Sequence, residues 1–96
     1  MATVVMAEAA RADLNRLIRT HNLPGSTRDQ VKASLASLAR FPLLGTALIG
    51  RWEGLRFVLG PWPWLLLVYV YDGALDQVSV VTIQDSRTAG AATSER

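Results

Sequence analysis

Ninety-six residues, half of them hydrophobic, suit one compact domain with a single core and leave no length for a second. Ten Lys and Arg against eight Asp and Glu give a net charge of +2, too small an excess for a basic arm that coats nucleic acid, so any anion site must be local. The absence of cysteine excludes a disulfide framework and a thiolate zinc site and fits a reducing cytosol.

The start, MATVVMAEAARAD, has acidic residues early and no basic stretch before an apolar run. It does not read as a signal peptide, and the protein is expected in the cytoplasm. Thr3 to Met6 is a short β-branched run that reads as an edge strand. From Ala7 to about His21, the residues Ala10, Leu14, Leu17, Ile18 and His21 recur at helical spacing, with Arg11, Asp13, Arg16 and Arg19 mostly on the other side. His21, the sole histidine, sits where an imidazolium meets the helix dipole, which favours packing or capping over catalysis. Pro24 and Gly25 punctuate the chain, and Thr27 with Gln30 fits a capping box that opens a second helix. Val31, Leu35 and Leu38 form its apolar stripe, and Phe41 with Pro42 ends it, because proline disfavours helical geometry in the residue before it.

After a loop from Leu43 to Gly50 the period changes to two. Leu55, Phe57 and Leu59 face one way, Arg56 and Val58 the other. Gly60, Pro61 and Pro63 turn the chain, Trp64 to Tyr71 reads as a buried central strand, and Asp72 with Gly73 leads to a last strand, Gln77 to Gln84. The apolar stretch Phe57 to Tyr71 is broken by glycine and proline and falls short of the roughly 20 residues a bilayer span needs, so no membrane segment is expected. The fold class is therefore α+β: a short N-terminal strand, then an α-helical hairpin packed on an antiparallel sheet that ends in a three-strand meander (β-α-α-β-β-β). One domain spans 1–88, and 89–96, rich in Ala, Ser and Thr, is expected to be a flexible tail.

Leu14, Leu17 and Ile18 resemble the DLxxLI helix of the RelE/ParE family of bacterial toxins, and Arg40, Phe41, Pro42, Leu44 and Gly45 resemble its FPxLG helix end. Arg51, Trp52, Leu55 and Arg56 are similar to its RWxGLR strand, Gly60 to Trp62 to its GxY/W turn, Tyr69 to Asp72 to its YxYD strand end, and Ile83, Asp85 and Arg87 to its closing IxDxR. The likeness runs from about residue 3 to 88. It implies the toxin of a type II toxin-antitoxin system, held inactive by a cognate antitoxin in a complex with two copies of each chain, with neither cofactor nor metal. Its target is either DNA gyrase, as for ParE-like members, or messenger RNA in the ribosome, as for RelE-like members.

The residues bear on that choice. Metal-free RNA cleavage needs a proton acceptor, a proton donor and cations around the scissile phosphate. Arg51, Arg56 and Arg87 supply candidate cations, since a guanidinium fork suits phosphate oxygens. Pro63, however, stands where the family's nucleases carry an arginine, Asp85 stands where a histidine often lies, and no tyrosine follows Tyr71. Arginine, with a pKa above roughly 12, is a poor base near neutral pH. Whether the chain is an enzyme therefore stays open here; if it is, it is a metal-independent endoribonuclease. The non-nucleolytic, protein-binding reading comes first, with the nuclease and an inactive toxin-fold antitoxin partner as alternatives. Trp62, between two prolines, and Trp52 are the candidate partner-binding aromatics, whereas Trp64 is assigned to the core.

Overall fold

A computed structural model of the chain describes residues 1–93. The elements are β1 (Thr3–Met6), α1 (Glu8–Thr20), α2 (Thr27–Leu35) with a 3-10 turn at Ala36–Ala39, β2 (Thr46–Ala47), a 3-10 turn at Gly50–Trp52, β3 (Arg56–Leu59), β4 (Leu65–Asp72) and β5 (Gln77–Asp85). They form a helix hairpin on one face of a five-stranded sheet of order β1-β5-β4-β3-β2. The α+β architecture is the expected one, with two differences. The sheet is mixed, because β1 pairs parallel to β5 from Thr3 opposite Gln77 to Met6 opposite Val80, and the presumed loop Leu43–Gly50 contains the two-residue strand β2.

Glu8 in the first turn of α1 and Arg19 in the last complement the helix dipole, and Ala10, Leu14 and Leu17 turn inward at helical spacing. The N-terminus of α2 differs from the expected capping box. Ser26 occupies the cap, Thr27 Oγ1 donates to the Pro24 carbonyl at 2.6 Å, and Gln30 Nε2 donates to Ser26 Oγ at 2.9 Å. The buried Thr27 thus satisfies its hydroxyl locally, and Ser26 at the cap makes no side-chain hydrogen bond to the helix backbone.

Central β4 is apolar almost throughout because both its faces are covered. Leu65, Leu67 and Tyr69 join Leu14, Leu17, Val31, Leu35, Val78, Val80 and Ile83 beneath the helices. Leu66 and Val68 join Leu48 and Ala92 on the second face, with Trp52, Leu55, Phe57 and Val81 packed around them. The segment expected to hang loose thus brings Ala91 and Ala92 against the sheet, where the Ala92 N–H donates to Gln84 Oε1 at 2.7 Å. The remainder of that expected tail, 94–96, lies outside the described residues.

A β-bulge sets which face the end of β5 presents. Val68 pairs with Thr82 and Tyr69 with Val80, so Val81 is an extra residue in the ladder. Val78 and Val80 face the helices, and strict alternation would then send Ile83 and Asp85 to the other side. The extra residue reverses the parity, and Ile83 enters the helix-side core. Asp13 of α1 grips this point: its Oδ2 accepts from Thr82 Oγ1 at 2.7 Å and from the Ile83 N–H at 3.3 Å. Asp13 therefore faces the sheet and not the solvent side of α1 on which its spacing placed it.

Replacing Asp13 by alanine is expected to lower stability in urea unfolding by about 2 kcal/mol, the range for hydrogen bonds to a charged group. Asparagine, which keeps an acceptor oxygen, is expected to cost about half as much. A loss below roughly 0.5 kcal/mol for alanine would mean that the bulge holds without the helix.

Candidate functional site

The C-terminus of α1 and the ends of β4 and β5 bring together His21, Trp62, Trp64, Asp85 and Arg87. The Ser86 N–H donates to the Trp64 carbonyl at 2.7 Å and fixes the chain leaving β5 beside the start of β4. Arg87 then folds back on Asp85: its backbone N–H and Nε both donate to Oδ1 at 2.9 Å, and its terminal nitrogen donates to Oδ2 at 2.8 Å. The same guanidinium lies 4.5 Å from the centroid of the Trp64 ring, a cation–π contact. Around Trp64 the His21 ring stacks at 5.1 Å and the Trp62 ring at 5.9 Å, each inclined by 17°.

His21 Nε2 lies 3.1 Å from Asp85 Oδ2, and Nδ1 lies 3.0 Å from Thr20 Oγ1. A carboxylate has no proton to give, so Nε2 carries the hydrogen, and in the neutral imidazole Nδ1 accepts from Thr20. The Arg87 guanidinium, hydrogen-bonded across both oxygens, holds the Asp85 carboxyl well below the usual carboxylate range. The Arg87 N–H and His21 act in the same direction, against desolvation. So acidic a group is a weak proton acceptor, and both of its oxygens are already occupied.

The other two candidate cations lie elsewhere. Arg56 emerges from β3 on the helix side, opposite Tyr69. That level is four residues along β4 from the Leu65–Asp85 pair, roughly 13 Å at the strand rise of about 3.3 Å. Its guanidinium donates to the carbonyls of Gly45 at 2.8 Å and Leu43 at 3.3 Å. The Gly45 N–H in turn donates to the buried Tyr69 hydroxyl at 2.9 Å. Burial raises the Tyr69 pKa although Gly45 and Arg56 oppose it, so the phenol stays protonated. A Cβ on Gly45 would lie 2.6 Å from the Phe57 carbonyl and 2.7 Å from the Tyr69 hydroxyl, so glycine is required there. Three of the motif residues, Gly45, Arg56 and Tyr69, thus form one structural clamp.

Arg51 lies on the second face. Its guanidinium sits 5.6 Å from the Trp52 ring centroid and donates to the Gly90 carbonyl at 3.1 Å. Trp52 packs into the second-face cluster with its Nε1 buried and without an acceptor among the described residues. The two candidate partner-binding tryptophans are therefore on opposite faces and both partly buried, and the three arginines are held by three different sets of acceptors: the Gly90 carbonyl, the Gly45 and Leu43 carbonyls, and the Asp85 carboxylate. No group of three potential metal ligands, and no helix long and apolar enough to cross a membrane, occurs among the described residues.

Another groove lies at the free edge of the sheet, where β1 meets the helix hairpin. It encloses about 970 Å³. Val5, Met6, Leu14 and Leu35 supply apolar lining, and Arg11, Arg28 and Lys32 outnumber Asp29 on its walls. A second cleft of about 490 Å³ runs past His21 and Asp85 to Thr88 and Gly90. His21 is the member of this cluster that sequence spacing did not reveal. Its Asp85 partner is 64 residues away, and only the position of the helix end against the shifted β5 brings the two together.

No protein-family model matches the chain, and no curated protein matches its sequence. Solved structures do match it. The RelBE2 toxin-antitoxin complex from Mycobacterium tuberculosis superposes with a TM-score of 0.59 and 23% identity, covering 88% of this chain and 96% of that one. For the intact E. coli RelBE toxin-antitoxin complex the TM-score is 0.64 at 16% identity, covering 92% of this chain and all of that one (100%). For the chromosomal ParDE toxin-antitoxin system of P. aeruginosa it is 0.67 at 12% identity, covering 88% and 96%. The architecture is thus the RelE/ParE toxin fold to which the sequence motifs point.

Two outcomes follow for the clamp and the cluster. Gly45→Ala is expected to destabilise the fold by about 1–3 kcal/mol, the cost of overpacking against backbone, measured by thermal unfolding. Because the folded Asp85 pKa is depressed, its contribution is present above the ordinary Asp pKa near 3.9 and is lost as pH falls below it. Arg87→Gln is therefore expected to be less stable than the parent at pH 7, with the difference closing as the pH is lowered through about 4. A difference that stays constant down to pH 2 would separate Arg87 from the Asp85 charge.

Proposed function

We propose that this chain is the toxin of a type II toxin-antitoxin pair, a cytoplasmic growth inhibitor that is silenced by a cognate antitoxin and acts by binding a protein such as DNA gyrase. The observation that carries the reading is the dispersal of its arginines within a toxin fold. Arg51 lies on one face, Arg56 holds a loop on the other, and Arg87 is neutralised by Asp85. RNA cleavage needs cations and a proton acceptor around one phosphate, and these side chains do not assemble that set. Inhibition by contact needs only shaped surfaces, and the fold has them.

The groove at β1 suits the antitoxin. An extended segment can pair with the free edge of β1, set apolar side chains against Val5, Met6 and Leu35, and direct carboxylates to Arg11, Arg28 and Lys32. Trp62 and Trp52 are secondary contacts in this reading, and the complex holds two copies of each chain. The ribonuclease reading stands second, favoured by one feature: His21 beside Asp85 on an open cleft, with Arg87 adjacent. In that case Arg87, with Arg56 and Arg51 less directly placed, would contact the phosphate.

Mapping messenger RNA 5′ ends within minutes of inducing the chain without its antitoxin tests the choice. Unbroken messages alongside growth arrest and altered DNA supercoiling are expected. New ends phased to codons would replace this reading with the nuclease, and undisturbed growth would leave an inactive toxin-fold partner. For the groove, Arg11→Glu combined with Lys32→Glu is expected to weaken antitoxin binding at least about tenfold, roughly 1.4 kcal/mol by calorimetry. Unchanged affinity would move the antitoxin elsewhere.

A further inference from the structure

Apolar side chains contribute to a fold by leaving water, so a segment that holds several of them out in solvent, in a fixed shape, needs another explanation. Phe41, Leu43 and Leu44 are 60%, 58% and 57% exposed. Their turn is not slack. The Phe41 N–H donates to the Ser37 carbonyl at 2.9 Å, and the Leu44 N–H donates to the Phe41 carbonyl at 3.0 Å. Arg56 ties down the carbonyls of Leu43 and Gly45, Tyr69 receives the Gly45 N–H, and Pro42 stiffens the backbone between. A buried tyrosine, a partly buried arginine and an obligatory glycine therefore fix the direction in which three exposed hydrophobic side chains point.

We infer that this turn is the toxin's target-contact surface, and that its occupant is a protein recess that is apolar at its centre and rimmed by carboxylates. The inference rests on the protein-binding reading above and deepens it. A rigid apolar turn loses little conformational freedom on binding, which is how a small surface reaches useful affinity. The charge beside it argues for an acidic rim: the exposed Arg40 directly precedes Phe41, and no carboxylate occurs from residue 40 to residue 52. The turn leads into β2, the sheet edge opposite the β1 groove, so a target here is recognised by residues other than those assigned to the antitoxin.

The test is growth inhibition by the full chain, induced without its antitoxin in its native cells, for the parent, for Leu43→Ser/Leu44→Ser and for Arg40→Glu. Thermal unfolding and sedimentation of each purified chain accompany it. The double variant is expected to fold like the parent and to inhibit growth at least tenfold less, and Arg40→Glu is expected to inhibit less strongly than the parent. Full inhibition by a folded double variant overturns the surface and leaves the functional reading intact. A parent chain without effect on growth overturns that reading and the surface with it. A parent dimer that the double variant dissociates, with inhibition retained, assigns the turn to a second copy and overturns the target. If the double variant fails to fold, Arg40→Glu decides, and undiminished inhibition by it overturns the proposal.

Discussion

One extra residue in β5, and the carboxylate that grips it, govern what the rest of the sheet presents. Side chains along a strand alternate with a period of two, so a single inserted position exchanges the faces of everything beyond it. Val81 is that position. Beyond it Ile83 seals the helix-side core, Asp85 reaches His21 at the end of α1, and Gln84 turns to the second face, where it accepts the Ala92 N–H. Asp13 makes the arrangement cooperative, since one carboxylate oxygen on α1 receives both Thr82 Oγ1 and the Ile83 N–H. Helix and bulge thereby specify each other's position.

The three arginines show why a basic residue in a motif is not yet a site. A guanidinium offers five donors in a rigid fork, and what it does depends on the acceptors within reach. Arg56 finds two loop carbonyls and becomes scaffold. Arg87 finds both oxygens of Asp85 and the face of Trp64, so its charge is balanced where it stands. Arg51, across the sheet, holds the Gly90 carbonyl and covers Trp52. The same residue type serves three different ends, because each guanidinium is held by its own set of acceptors.

The two sheet edges are finished differently. At β1 the free edge borders a groove with a cationic surplus, the surface proposed above for an extended antitoxin segment. At the other edge β2 is only two residues long, which limits strand addition, and the contact features there are side chains displayed by a clamped turn. The two proposed surfaces therefore draw on different residues of one small domain.

Much of the fold was legible in the residues. The helical spacing of Ala10, Leu14 and Leu17, the punctuation at Pro24–Gly25 and Gly60–Pro63, and the unbroken apolar run of β4 each encode a local preference or a burial pattern that needs no knowledge of distant partners. The motif residues were legible too, but not their roles: that Gly45, Arg56 and Tyr69 form one clamp depends on β3 and β4 lying side by side. The parallel pairing of β1, the bulge at Val81, the inward turn of Asp13 and the meeting of His21 with Asp85 likewise join residues distant in the chain. By itself the sequence determined the two helices and every strand but β2, and which side chains could carry chemistry, because those follow from short-range periodicity. Only the tertiary structure decided which of them meet, because one residue of register in β5 selects the face, and the face selects the neighbours.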